Sequence, residues 1–141
     1  MKAIQYLSVC LMLALLVTMG CATTGKGPSD LATLEAKTKE VAAVANAKDI
    51  SKLMTYVAED FECPQIGDKA SFKEFLDNAK SAGFLDGVEI DVSAAKTTIT
   101  GETAEVAPVA VRGSFGSGEA VFSATKVKGV WMISAMDISG I

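Results

Sequence analysis

After a single lysine, Lys2, the chain runs from Ala3 to Gly20 without a charge, its bulk supplied by residues such as Ile4, Leu7, Leu11, Leu13, Leu16 and Val17. The run closes on Val17-Thr18-Met19-Gly20-Cys21 and gives way to Ala22–Pro28, whose small residues read as a flexible tether. Beyond it the apolar positions become periodic. From Ser29 or Asp30, either of which can cap a helix, Leu31, Leu34, Val41 and Ala45 recur among Glu35, Lys37, Lys39 and Glu40 and predict a first amphipathic helix. Asn46-Ala47-Lys48-Asp49 breaks it. Asp49 can cap again, and Ile50, Leu53, Met54 and Val57 fall at i, i+3, i+4 and i+7, so a second, shorter helix follows. Phe61-Glu62-Cys63 has room for only a small strand, and Pro64 to Asp68 reads as loop. Helical spacing returns from Ser71 with Phe72, Phe75, Leu76 and Ala79, and Gly83 stands where a left-handed C-cap would close this third helix.

The second half changes period. Val88, Ile90 and Val92 alternate with Glu89, Asp91 and Ser93, the pattern of a strand with one solvated face that belongs toward a sheet edge. Thr100-Gly101-Glu102 makes a turn, and Thr103 to Arg112 is a strand interrupted by Pro108, which lacks a ladder donor and so marks a bulge or an edge. Gly113 to Gly118 turns the chain, Glu119 to Lys126 is another strand, Lys128-Gly129 makes a tight hairpin loop, and Val130 to Ile138 closes the domain. Three helices followed by four antiparallel strands is an α+β order.

Charge and cysteine content narrow the function classes. Lys2 and the uncharged run form the n-region and h-region of an export signal. Closure on a small residue and a cysteine resembles the lipobox of bacterial lipoproteins, although Thr18 and Met19 depart from the usual residues there. The resemblance implies a thioether-linked diacylglycerol on Cys21, labelled metabolically by palmitate, cleavage after residue 20, and a membrane partner through that lipid anchor. The expected organisation is a signal peptide over 1–20, the lipidated cysteine and tether over 21–30, and one domain over 31–141. Its location is the cell envelope; Ala22 after the cysteine implies the outer membrane, facing the periplasm, if the source is Gram-negative. Loss of Lys2 leaves 12 basic against 17 acidic residues, a net charge of −5, which disfavours nucleic acid as a partner. Cys10 leaves with the signal, so Cys63 is the one thiol of the domain and cannot form an internal disulfide. With no histidine anywhere, neither a zinc site nor a histidine-based triad is expected, and no cofactor is implied.

Asn46-Ala47-Lys48-Asp49-Ile50 through Leu53-Met54 to Tyr56-Val57-Ala58-Glu59-Asp60-Phe61, then Gly67 to Phe72, and Lys126 to Ile133 resemble, in that order, signatures of the nuclear-transport-factor-2-like superfamily, with its SnoaL-like and ketosteroid-isomerase-like groups. The resemblance implies three helices packed on a strongly curved antiparallel sheet, cone-shaped with a pocket at the open end. The superfamily holds both enzymes and binding subunits, so fold leaves function open. Cys63-Pro64 stands where ketosteroid isomerases carry a general-base Asp before Pro, and Ala135 and Asp137 stand where many relatives carry His.

The expected pocket residues are Tyr56, Cys63, Trp131, Ile133, Ala135 and Asp137. Unbroken alternation puts Trp131, Ile133, Ala135 and Asp137 on one face, and Asp137, in an apolar pocket, would be an acid or base of raised pKa. Strand twist would instead carry it to solvent or to a lysine. Cys63 has no histidine to activate it and reads better as a buried inert thiol; Tyr56 is a wall residue or a hydrogen-bond donor; Phe72, Phe75 and Trp131 are core. The preferred function is a non-catalytic small-molecule-binding or assembly module on a lipid tether, its ligand small and apolar. The alternatives are an isomerase- or dehydratase-type pocket enzyme using Asp137, and a structural envelope lipoprotein whose pocket is filled by side chains. The same alternation leaves the last strand apolar on both faces, with Val130, Met132, Met136 and Ile138 opposite Trp131. This predicts a homodimer through the sheet, with Met132 and either Met136 or Val121 at its centre.

Overall fold

The computed structural model describes residues 29–140. The expected export signal, Cys21 and the expected tether up to Pro28 lie outside the described residues. Among the described residues, no helix is long and apolar enough to cross a membrane.

Helix α1 (Asp30–Asn46) starts on Ser29, whose hydroxyl accepts from the Ala32 N–H at 3.2 Å. Helix α2 (Ile50–Met54) starts on Asp49, whose carboxylate accepts from the Lys52 N–H at 3.0 Å. Each cap satisfies a donor that the first helical turn leaves unpaired. Val57 does not extend α2 as its spacing suggested. It opens strand β1 (Val57–Cys63), seven residues long, where the sequence left room only for three. A short β2 (Gly67–Asp68) leads into α3 (Lys69–Ser81), with Asp68 as cap. The Asp68 carboxylate accepts from the Ser71 N–H at 2.9 Å, and that bond, then the Ser71 hydroxyl, holds its pKa below the ordinary value. The cap's stabilisation is therefore complete above the carboxylate range of the unfolded chain and is lost as pH falls through the lowered folded value. Past α3 the Gly83 N–H donates to Lys80 O and the Phe84 N–H to Ala79 O, at 3.0 and 2.9 Å. This is a Schellman closure, with Gly83 at φ +78° as the sequence predicts.

The remaining strands are β3 (Glu89–Asp91), β4 (Lys96–Thr100), β5 (Thr103–Gly113), β6 (Gly116–Val127) and β7 (Val130–Ser139). They form one curved, unclosed sheet in the order β2, β1, β7, β6, β5, β3, with β4 also paired to β5. The sheet is mostly antiparallel, but β1 runs parallel to β7, a pairing that the sequence does not reveal. Strand β4, absent from the sequence reading, alternates exposed Lys96, Thr98 and Thr100 with half-buried Thr97 and Ile99. The polar-faced β3 does lie at a sheet edge.

Two β-bulges bend the long strands, and β1 also shifts register against β7 between Val57 and Glu62. On β5 the register with β6 shifts between Val106 and Val109, at Pro108; on β7 it shifts at Ser134, because Ala124 faces Ile133 while Ser123 faces Ala135. Each bulge inserts one residue, bends its strand and reverses the alternation beyond it. Val106, Val109 and Val111 therefore all turn toward the helices, as do Trp131, Ile133, Met136 and Ile138. Two-sided apolarity, read from an unbroken period of two, is corrected here. Met136 is buried in the interior and cannot centre an outer-face contact, whereas Val121 and Met132 are half-buried.

Candidate functional site

Helices and sheet do not close completely on each other. Between them lies a cavity of about 660 Å³, within the range of about 300–1,000 Å³ usual for small-molecule sites. Leu34, Thr38, Val41 and Ala45 form its wall along α1, because these positions share one helical face. Val106, Val109, Phe122 and Met136 face them from the sheet, and Phe61 and Phe72, whose rings lie 5.0 Å apart, bound it below.

The two ends differ. At one, Leu34, Ala104, Ala124 and Trp131 pack into a closed cluster. The Lys126 ammonium stands 5.6 Å from the Trp131 ring and pairs with Asp30 at 2.8 Å. The indole Nε1 is buried without an acceptor among the described residues. At the other end Phe75, Phe84 and Phe115 line the cavity yet are 50%, 66% and 48% exposed, and so mark its mouth. Gly83 positions Phe84 there. Gly113, against which the Phe115 ring folds, leaves room that a Cβ would occupy at 2.5 Å from the ring.

Among the described residues four titratable groups line the cavity, Lys37, Lys48, Asp49 and Tyr56, and each already has a protein partner. Lys37 Nζ donates to Trp131 O at 3.2 Å and lies 5.8 Å from the Tyr56 ring. Lys48 Nζ donates to Val88 O, and Asp49 caps α2. Tyr56 donates its hydroxyl to Glu40 Oε1 at 2.6 Å, and this bond raises the Tyr56 pKa above its ordinary value. Among the described residues no three Cys, Asp or Glu side chains form a metal cradle.

Of the residues expected in the pocket, the structure brings together Tyr56, Trp131 and Ile133. Asp137 is corrected. It lies beyond the Ser134 bulge, on the outer face, exposed and accepting from Gln65 Nε2 at 2.7 Å. Ala135 turns outward with it. Cys63 is not on the cavity wall either; it is 2% exposed, packed with Phe61, Phe72 and Met136, and its thiol points to Gln65 Oε1 at 3.3 Å. Phe75, expected in the core, stands at the mouth instead. Lys48, Phe84 and Phe115 were missed. The left-handed cap at Gly83 was the available signal for Phe84, since the residue after such a glycine leaves the helix axis.

No protein-family profile and no curated protein matches the sequence. Solved structures match the fold. A Bdellovibrio bacteriovorus protein aligns with TM-score 0.67 and 16% identity over 77% of this chain, which spans only 40% of that protein. A nuclear-transport-factor-2-like protein of unknown function from Pseudomonas putida aligns with TM-score 0.65 and 12% identity, over 83% of this chain and 90% of that one. A protein of unknown function with a cystatin-like fold from Nostoc punctiforme gives TM-score 0.61 and 15% identity, over 80% and 93%. The chain has the nuclear-transport-factor-2-like fold.

Proposed function

We propose that this nuclear-transport-factor-2-like domain is a non-catalytic binding module that holds a small apolar molecule, carried in the cell envelope on a lipid anchor at Cys21. The observation that carries the binding reading is the cavity itself. It has about 660 Å³ of space, apolar walls and exposed aromatic rings at its mouth, features that favour a ligand over a pocket filled by side chains. An acid–base mechanism finds less support. Asp137 lies on the opposite face of the sheet, and the one carboxylate on the lining among the described residues, Asp49, caps a helix. The anchor rests on Gly20-Cys21 after the uncharged run. A homodimer through the outer face remains part of the proposal, now centred on Val121 and Met132 alone.

Native mass spectrometry of the protein isolated from its own host, in mild detergent, tests all three parts at once. A polypeptide beginning at Cys21 and carrying acyl mass, in dimers, with a further small molecule released on activation, is the expected result. An unprocessed chain overturns the anchor, a monomer at tens of micromolar overturns the dimer, and an empty cavity that also refuses added apolar ligands overturns the binding reading.

A further inference from the structure

Lys48 occupies a position where glycine is the usual residue. Helix α1 ends with the Lys48 N–H donating to Ala45 O at 3.0 Å and the Asp49 N–H to Val44 O at 3.3 Å, a Schellman closure whose left-handed residue is Lys48, at φ 58°. A side chain there strains the backbone, and such strain persists where the side chain has a task. Lys48 lines the cavity, as do Phe84 and Val88, and its ammonium is held by the Val88 carbonyl. Lys80, one turn along α3 from the cavity-lining Leu76, donates to the Lys48 carbonyl at 2.9 Å.

An ammonium carries three donors. One on each lysine is spent on a backbone carbonyl, which positions the head, and two remain. No carboxylate among the described residues lies within ion-pair distance of either ammonium. Asp49, the nearest in sequence, has its carboxylate turned to the Lys52 N–H. Behind the lysines the apolar wall follows α1 from Ala45 to Leu34, three turns or about 16 Å. Resting on the binding reading above, we propose that the occupant is a single-chain amphiphile with an anionic head, its tail along α1 and its head on Lys48 and Lys80 at the mouth. A lysine is a point charge, so carboxylate and phosphate heads share this chemistry.

The unit from Ser29 onward is the material for the test, since among the described residues every buried side chain lies between Leu34 and Met136. Trp131 is the chain's one tryptophan and lines the cavity, so its fluorescence reports filling. Dodecanoate and dodecylammonium below their micelle concentrations, and dodecan-1-ol below its solubility limit, share a tail and differ in head. Dodecanoate should bind roughly fivefold to tenfold more tightly than the alcohol, the worth of a partly exposed charged hydrogen bond, with dodecylammonium weakest. Lys48→Gly combined with Lys80→Met should abolish that preference and keep the alcohol's affinity. Lys48→Gly relieves the strained backbone, so its thermal midpoint should not fall, and loss of the preference cannot then be ascribed to misfolding. Equal affinity for all three probes overturns the head-group assignment and leaves the binding reading standing. Binding of none overturns both. A preference that survives the double variant and disappears in Lys37→Met moves the head to the other end and overturns the mouth assignment.

Discussion

The two ends of the cavity are built on different terms. At the closed end, Leu34, Ala104, Ala124 and Trp131 are all under 7% exposed and pack on one another, the indole Nε1 being the one buried side-chain polar atom among the described residues without a partner. At the mouth, three phenylalanines stand about half or more in solvent and a lysine occupies a backbone position better suited to glycine. Burial explains the first set, because removing apolar surface from water stabilises the fold by ~25 cal/mol per Å². It explains little of the second, whose apolar surface stays in water. Residues that cost the fold something and return nothing to it are where function is to be sought.

The sharpest contrast comes from a residue at the cavity floor. Phe61 is 1% exposed and stacks on Phe72 between α3 and the sheet. Phe61→Ala removes a ring that nothing can refill without moving α3, and the expected loss is ~3–5 kcal/mol. Urea unfolding followed by circular dichroism measures it. A loss below about 1 kcal/mol would mean that the cavity collapses freely onto the gap and is no fixed container.

Two left-handed residues near the mouth should respond with opposite signs. Gly83 is at φ +78°, and the nearest atom to an added Cβ would be Asp86 Oδ2 at 3.5 Å, an ordinary contact. Space is therefore not the obstacle to Gly83→Ala, only the backbone, at roughly 1 kcal/mol of destabilisation. Lys48→Gly runs the other way. Relief of a left-handed side chain is worth ~1–2 kcal/mol, glycine's greater freedom in the unfolded chain takes back ~0.5–1, and the net is a stabilisation of ~0–1.5 kcal/mol. Paired urea midpoints, one lower and one higher than the parent, are the expected reading. A destabilised Lys48→Gly would show that the Val88 hydrogen bond matters more than the strain.

Local rules made much of this molecule legible. Ser29, Asp49 and Gly83 stand at helix ends because of properties that each carries by itself, and Lys128-Gly129 turns the last hairpin through two positive φ angles as short connections require. Pro108 announced its bulge for the same reason, a missing N–H. Ser134 announced nothing. A serine fits either face of a strand, so the bulge that sends Asp137 outward and Met136 inward depends on register against β6, a long-range property. The parallel pairing of β1 with β7 joins residues more than 70 positions apart and is likewise a matter of topology. Half of the expected pocket, Tyr56, Trp131 and Ile133, lies before that bulge in the pairing and lines the cavity. Ala135 and Asp137 lie after it and do not.

The smallest expected effect on stability belongs to Phe84, the most exposed of the large apolar residues. Phe84→Ser removes a ring already two-thirds in water, and surface changes of this kind shift stability by no more than about 0.5 kcal/mol. Its urea midpoint should match the parent within error. Affinity should not match. The ring stands where Gly83 turns the chain out of α3, at the mouth through which a tail would enter, so its loss removes apolar contact from any ligand regardless of head group. Dodecanoate and dodecan-1-ol should therefore weaken together, by roughly threefold to tenfold for about one or two methylenes' worth of contact, while the ratio between them stays as in the parent. That pattern separates the aromatic rim from the lysines, whose removal changes the ratio and spares the alcohol. If Phe84→Ser leaves both affinities untouched, the ligand does not pass or rest at this rim, and the exposed rings of the mouth require a partner other than the one inside the cavity.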